Sequence, residues 1–178
     1  MLAAGVLSGV AGGAAMAAVV VIAAAATGIA PLQPLAAIGE TFVGPEALEG
    51  TAAKVALGAL VHLAVSAAFG VVFAAVVPRD LPTGCAMGLG AGGALFAMGF
   101  MMSVMVPWAN PGFAAAAQVM GGSWVIAHAV FGAVLGIAPR LRRSLTGRAS
   151  GASSEAAPAP PRAAAIAVPG SSSARSRT

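Results

Sequence analysis

His62 and His128 are the only ionisable side chains set deep in this chain's apolar stretches, and such residues in a bilayer are functional candidates by default. His62 lies seven residues before Phe69 and His128 three before Phe131. Both offsets approximate whole helical turns, so the two imidazoles fall on nearly the same face of two matching segments. They differ in depth by four residues, about 6 Å at 1.5 Å per residue. Facing inward, they can hold one proton, bind a metal, or ligate a b-type haem from both sides. Haem is the weakest of these, because bis-histidine ligation wants two rings at similar height. The simplest role is structural: each neutral imidazole hydrogen-bonds a neighbouring helix, His62 through Ser66 or a carbonyl.

Trp124 sits one turn before His128, where it serves as ring packing or as a cation–π partner for a protonated imidazole. Met98, Met101, Met102 and Met105 crowd the segment between. Thioethers suit copper, but gap-filling is the commoner use of methionine. Glu40, Glu46 and Glu49 match no calcium loop, and the last two suit the first turn of a helix. There is no Ser-His-Asp set, phosphate loop, paired intramembrane carboxylates or zinc motif, so no enzyme is expected and no cofactor is assigned. Whether a metal binds is left open.

The elements that must position these residues follow from charge. Residues 1–39, 55–78 and 81–139 contain no Asp, Glu, Lys or Arg. Charged residues make up 8% of the 178, hydrophobic ones 59%, and the mean hydropathy is +0.94. A soluble fold of this size needs about a quarter of its surface residues charged, so the chain belongs in a lipid bilayer. Spans of about 20 apolar residues fit four times. The expected fold is an all-α, integral membrane four-helix bundle with spans at about 2–29, 45–77, 84–106 and 113–138. The second begins at Pro45, the third is closed by Pro107, and Gly121-Gly122 is a loosening point in the fourth. The first is too long and lacks the basic flank of a signal peptide.

Four spans put both termini on one side, with Arg79, Arg140, Arg142 and Arg143, while Glu40, Glu46 and Glu49 lie on the other. The positive-inside rule makes the termini cytoplasmic. The net charge of +4 lacks interleaved aromatics and does not indicate nucleic-acid binding. Residues 144–178 are Ala, Ser, Pro, Gly and Arg without apolar periodicity, as expected of a disordered cytoplasmic tail. Cys85 is alone, so no disulfide framework exists.

The halves resemble each other. Gly5-x3-Gly9-x3-Gly13 recurs as Gly84-x3-Gly88-x3-Gly92, Ser66-x2-Phe69-Gly70 as His128-x2-Phe131-Gly132, and each copy ends in Pro-Arg. This order suggests two helical hairpins, each with an even number of spans, facing the same way. The connector over 31–44 is far longer than that over 108–112. Small-x3-small faces, Gly132-x3-Gly136 included, let helices approach closely within the chain, in a homo-oligomer, or against another membrane protein.

The Gly/Ala-rich first span, Gly-Pro-Glu-Ala-Leu-Glu-Gly before the second, His62, Phe69-Gly70, Asn110-Pro111, Trp124, His128 and Phe131-Gly132 together resemble uncharacterised small four-span inner-membrane proteins of bacteria. The resemblance covers about 1–143. It implies a multi-pass location in the bacterial cytoplasmic membrane and transfers no catalytic residue. The expected role is a non-enzymatic accessory or structural component. Its rivals are a small transporter or channel using the histidines, and a haem- or metal-binding subunit.

Overall fold

The computed structural model describes residues 1–44 and 50–145; the sequence-expected helix start at Pro45, with Glu46 and Glu49, and the tail beyond 145 lie outside them. Without water to satisfy backbone N–H and C=O groups, the chain has only helices or closed barrels to choose from in lipid. Every regular element among the described residues is helical. Four helices are long and apolar enough to cross a membrane: Leu2–Ala26, Thr51–Val76, Thr83–Ala109 and Ser123–Leu145.

Helix α1 spans Leu2–Ala26 and ends where Thr27 turns its Oγ1 back on the Ala23 carbonyl at 2.9 Å. What the sequence presents as a long connector is largely a second helix, α2, over Gln33–Val43. At 11 residues it is too short to cross a bilayer. It is held against α3 (Thr51–Val76) by a close approach: a Cβ on Gly39 would strike the Lys54 carbonyl, and one on Gly58 the Leu35 carbonyl. Glu40 and Lys54 pair across this contact at 2.9 Å.

The third span does not stop at Pro107. Helix α4 (Thr83–Phe100) runs into a π-helical turn over Met101–Met105 and on through a short α5 (Val106–Ala109). Proline has no N–H to give and clashes with the carbonyl four residues back. The wider turn just upstream of Pro107 absorbs that fault, so the helix continues. The fourth span breaks where the sequence offers only loosening. Helix α6 (Pro111–Met120) ends at Gly121, whose φ of +50° suits glycine, and α7 (Ser123–Leu135) starts afresh. After a turn at Gly136 the chain is helical again over 138–145, so the helix outlasts the expected end at 138 and takes in the first residues assigned to the tail.

Helix α1 is the spine. It packs antiparallel on α3 along one side and on α7 along another, while α4 packs on α7; α3 and α4 make little direct contact. Gly5 and Gly9 meet the α3 backbone at Gly70 and Ser66, and Gly13 meets the Ser66 side chain. Lipid tails are as apolar as leucine, so this close fit, not a hydrophobic drive, joins the helices. On the other side Gly132 abuts Gly90, and Gly136 abuts Met87. Gly84, Gly88 and Gly92 behave differently: a Cβ on any of them would meet nothing within 4 Å among the described residues. The sequence pairs these three with Gly5, Gly9 and Gly13, but the face of α4 turned inward is Ala86, Gly90 and Ala94, two residues along.

One end of the bundle is closed by arginine. Arg142, buried, donates from Nη1 to the Ala74 carbonyl at 2.6 Å and to the Val77 carbonyl at 2.9 Å. Arg143 donates to the Arg79 carbonyl. At the opposite end Asn110 caps α6 by accepting from the Phe113 N–H at 2.9 Å, and its amide reaches Thr41 Oγ1 at 3.1 Å and the Ala37 carbonyl at 3.3 Å. That amide ties α2 to the turn between α5 and α6.

Candidate intramembrane binding site

The space between α3 and α4 is not filled by direct packing, and three cavities share walls along it. The middle one, about 80 Å³, is lined by His62 and Ser66 of α3, His128 of α7, Met16 of α1, and Met98 with Met101 beside them. The two histidines that differ in sequence depth thus open onto one space. Towards the Glu40–Lys54 end, His62, Val65 and Met101 also line a cavity of about 160 Å³ that reaches Thr41 and Phe113. Towards the Arg142 end, Phe69, Ala94 and Phe131 are shared with a cavity of about 290 Å³ that reaches Val77 and Leu135. The lining of both flanking cavities is almost wholly apolar, so the imidazoles, Ser66 and the methionines stand as the chemically distinct station of the cleft.

Each histidine is oriented from behind by a backbone carbonyl. His62 Nε2 lies 2.9 Å from the Gly13 carbonyl of α1, and His128 Nδ1 lies 2.8 Å from the Trp124 carbonyl one turn back in its own helix. A carbonyl only accepts, so the neutral ring must donate at that atom. His62 therefore carries its proton on Nε2 and His128 on Nδ1. In the neutral ring the lone pair is left on Nδ1 of His62 and Nε2 of His128, and neither atom makes a hydrogen bond among the described residues. The bond to a neighbouring helix expected from sequence exists for His62, through a carbonyl and not Ser66, whereas His128 bonds within its own helix. These bonds occupy only one face of each ring.

Trp124 is buried and packs edge-on against Phe113 with centroids 5.4 Å apart; His128 lies tilted beside it at 6.3 Å. Its Nε1–H has no hydrogen-bond partner among the described residues. With His62 it lines a small cavity of about 20 Å³ under α2. The middle cavity, about 80 Å³, is small beside the roughly 300–1,000 Å³ of pockets that take drug-sized ligands.

Among the described residues no group of three His, Cys, Asp or Glu side chains is placed to hold a metal. Sequence reasoning missed Met16, the one methionine in the interior of α1; its signal was its place one turn after Gly12, on the face that meets Phe131 of α7. It also missed Gly90, because every second residue near it is small. The cleft and its station define an all-α bundle of four apolar, membrane-length helices with a polar site half-way along them. Comparison with known protein families, with curated proteins and with solved structures finds no match to this chain.

Proposed function

We propose that this chain is a non-enzymatic membrane protein that passes a small solute or ion along the α3–α4 cleft, with His62 and His128 as its binding station. One observation carries the reading: the cavities share walls from Thr41 at one end to Leu135 at the other, and both histidines line the shared middle. Polar side chains inside a membrane mark solute pathways, because a purely packing role is met more cheaply by apolar residues. The positive-inside rule places the Arg79–Arg142 end and both termini in the cytoplasm of a bacterium, with α2 on the outer face. We read α1/α3 and α4/α7 as two hairpins facing the same way, a reading supported by the like approaches of Gly70 to Gly5 and of Gly132 to Gly90.

Thiol labelling tests the path. In a Cys85→Ser background, Val65→Cys and Met101→Cys are treated with a membrane-impermeant thiol reagent in proteoliposomes. A water-accessible cleft gives modification at both positions; lipid-filled walls give none and sink the transport reading.

Gly84, Gly88 and Gly92 favour a second reading, an accessory or structural component. They form a small-residue face on α4 that none of the described residues covers, suited to a second copy or another membrane protein.

A further inference from the structure

We infer that the middle cavity is a Cu(I) site, with His62 Nδ1, His128 Nε2 and the thioethers of Met98 and Met101 as donors and Met16 at its edge. The inference rests on reading the α3–α4 cleft as a ligand site, and it adds the ligand.

The tautomers carry it first. A metal-binding histidine almost always gives its other ring N–H to a carbonyl or carboxylate, which fixes the ring and leaves the lone pair for the metal. His62 does this to Gly13 and His128 to Trp124, on two different helices, and the remaining nitrogens are without partners among the described residues. Neither of those nitrogens is a donor, so the pair suits a cation or a hydrogen-bond donor and repels a carbonyl.

The rest of the lining selects among cations. Imidazole suits zinc, copper, iron and nickel alike, but thioether sulfur narrows the choice to soft ions, copper in its monovalent state above all. Met16, Met98 and Met101 all line this cavity, and among the described residues no Asp or Glu does. A neutral donor set in a low-dielectric interior also discriminates by charge. Desolvation cost rises with the square of the charge, so a divalent ion without carboxylates is disfavoured there more than a monovalent one. The cavity of about 80 Å³ leaves room for a small ion between these side chains.

The geometry of α4 continues the pattern outward. Met105 and Met101 line the cavity that reaches Thr41, and Met101 with Met98 lines the middle one. The π turn over Met101–Met105 lies where the two cavities meet. Single π turns inside α-helices are frequent at functional sites. Thioethers are therefore staged from the Glu40–Lys54 end down to the histidines.

The test is an anaerobic titration of the full-length Cys85→Ser protein in detergent, with Cu(I) supplied by a colorimetric Cu(I) chelator. The site predicts one Cu(I) per chain and no comparable uptake of Zn(II). His62→Ala/His128→Ala should weaken binding at least a hundredfold, and the volume-conserving Met98→Leu/Met101→Leu about tenfold or more. A protein that takes no Cu(I) from the chelator overturns the proposal, as does binding that survives both double substitutions. Should the histidine variant fail to fold, the unaltered histidines give the answer. On adding Ag(I), a redox-inert soft cation, the ring ¹⁵N signals of His62 Nδ1 and His128 Nε2 should shift while their protonated neighbours stay nearly fixed. Silence at both nitrogens refutes the site. Copper binding without thiol labelling of the cleft would defeat only the transport path, and labelling without copper binding only this inference.

Discussion

Arg142 donates to the Ala74 carbonyl at 2.6 Å, so the last turn of α3 is closed by a side chain 68 residues further along the chain. The last carbonyls of a helix have no partner within it, and the helix dipole makes that end negative. A guanidinium serves both needs, and here it does so in an almost dry setting. Arg142→Met should lower stability by about 2–3 kcal/mol, the scale of hydrogen bonds to a charged group, with Arg142→Lys recovering only part. Thermal unfolding in detergent reads the difference; no change in either variant would show that the contact contributes nothing.

Glycine substitutions should sort by side of the helix. Gly70→Leu and Gly132→Leu drive side chains into the backbones of Gly5 and Gly90, and overpacking of this kind costs about 1–3 kcal/mol or more. Gly88→Leu meets open space, so the fold should keep its thermal midpoint. Size-exclusion chromatography with light scattering then reports on the α4 face: a shift from dimer to monomer in Gly88→Leu alone supports the accessory reading.

Trp124 separates packing from hydrogen bonding. Trp124→Ala empties a site shared with Val20, Ala24 and Phe113 and should cost about 3–5 kcal/mol. Trp124→Phe keeps most of the ring and removes an N–H with no hydrogen-bond partner among the described residues, so its cost should stay under about 1 kcal/mol. A large loss from the phenylalanine variant would mean the indole N–H is engaged.

Asn110 holds α2 down. Asn110→Ala removes the cap of α6 and both bonds to α2, for about 1–2 kcal/mol. The sharper readout is local: amide hydrogen exchange should quicken over Gln33–Val43 and not in α1 or α7. Uniform quickening would refute a separate role for the tie.

The spans were legible in the sequence because charge is costly in lipid, and its absence over 1–39, 55–78 and 81–139 admits few other folds. Helix α2 was not, since 11 residues with Pro34 near the start look like a connector unless the Gly39–Gly58 approach is known. The face of α4 that packs within the chain was not legible for a related reason: among so many small residues, Gly84-x3-Gly88-x3-Gly92 and Ala86-x3-Gly90-x3-Ala94 are equally good stripes. Composition cannot say which one a neighbour touches. The histidines were legible as the ionisable side chains set deep in the spans, but their difference in depth hid the cavity they share. Only the hydrogen bonds to Gly13 and Trp124 reveal which nitrogen each ring leaves over.

The scant contact between α3 and α4 has a bearing on how the protein is made. The α1/α3 pair has its own glycine seam, and α4 has its own on α7, so each hairpin holds its internal contacts without the other. Leu81, in the short link between α3 and α4, therefore joins two pieces that each assemble internally. Expressed as separate polypeptides broken there, they should find each other in the membrane through the α1–α7 face and rebuild the same bundle.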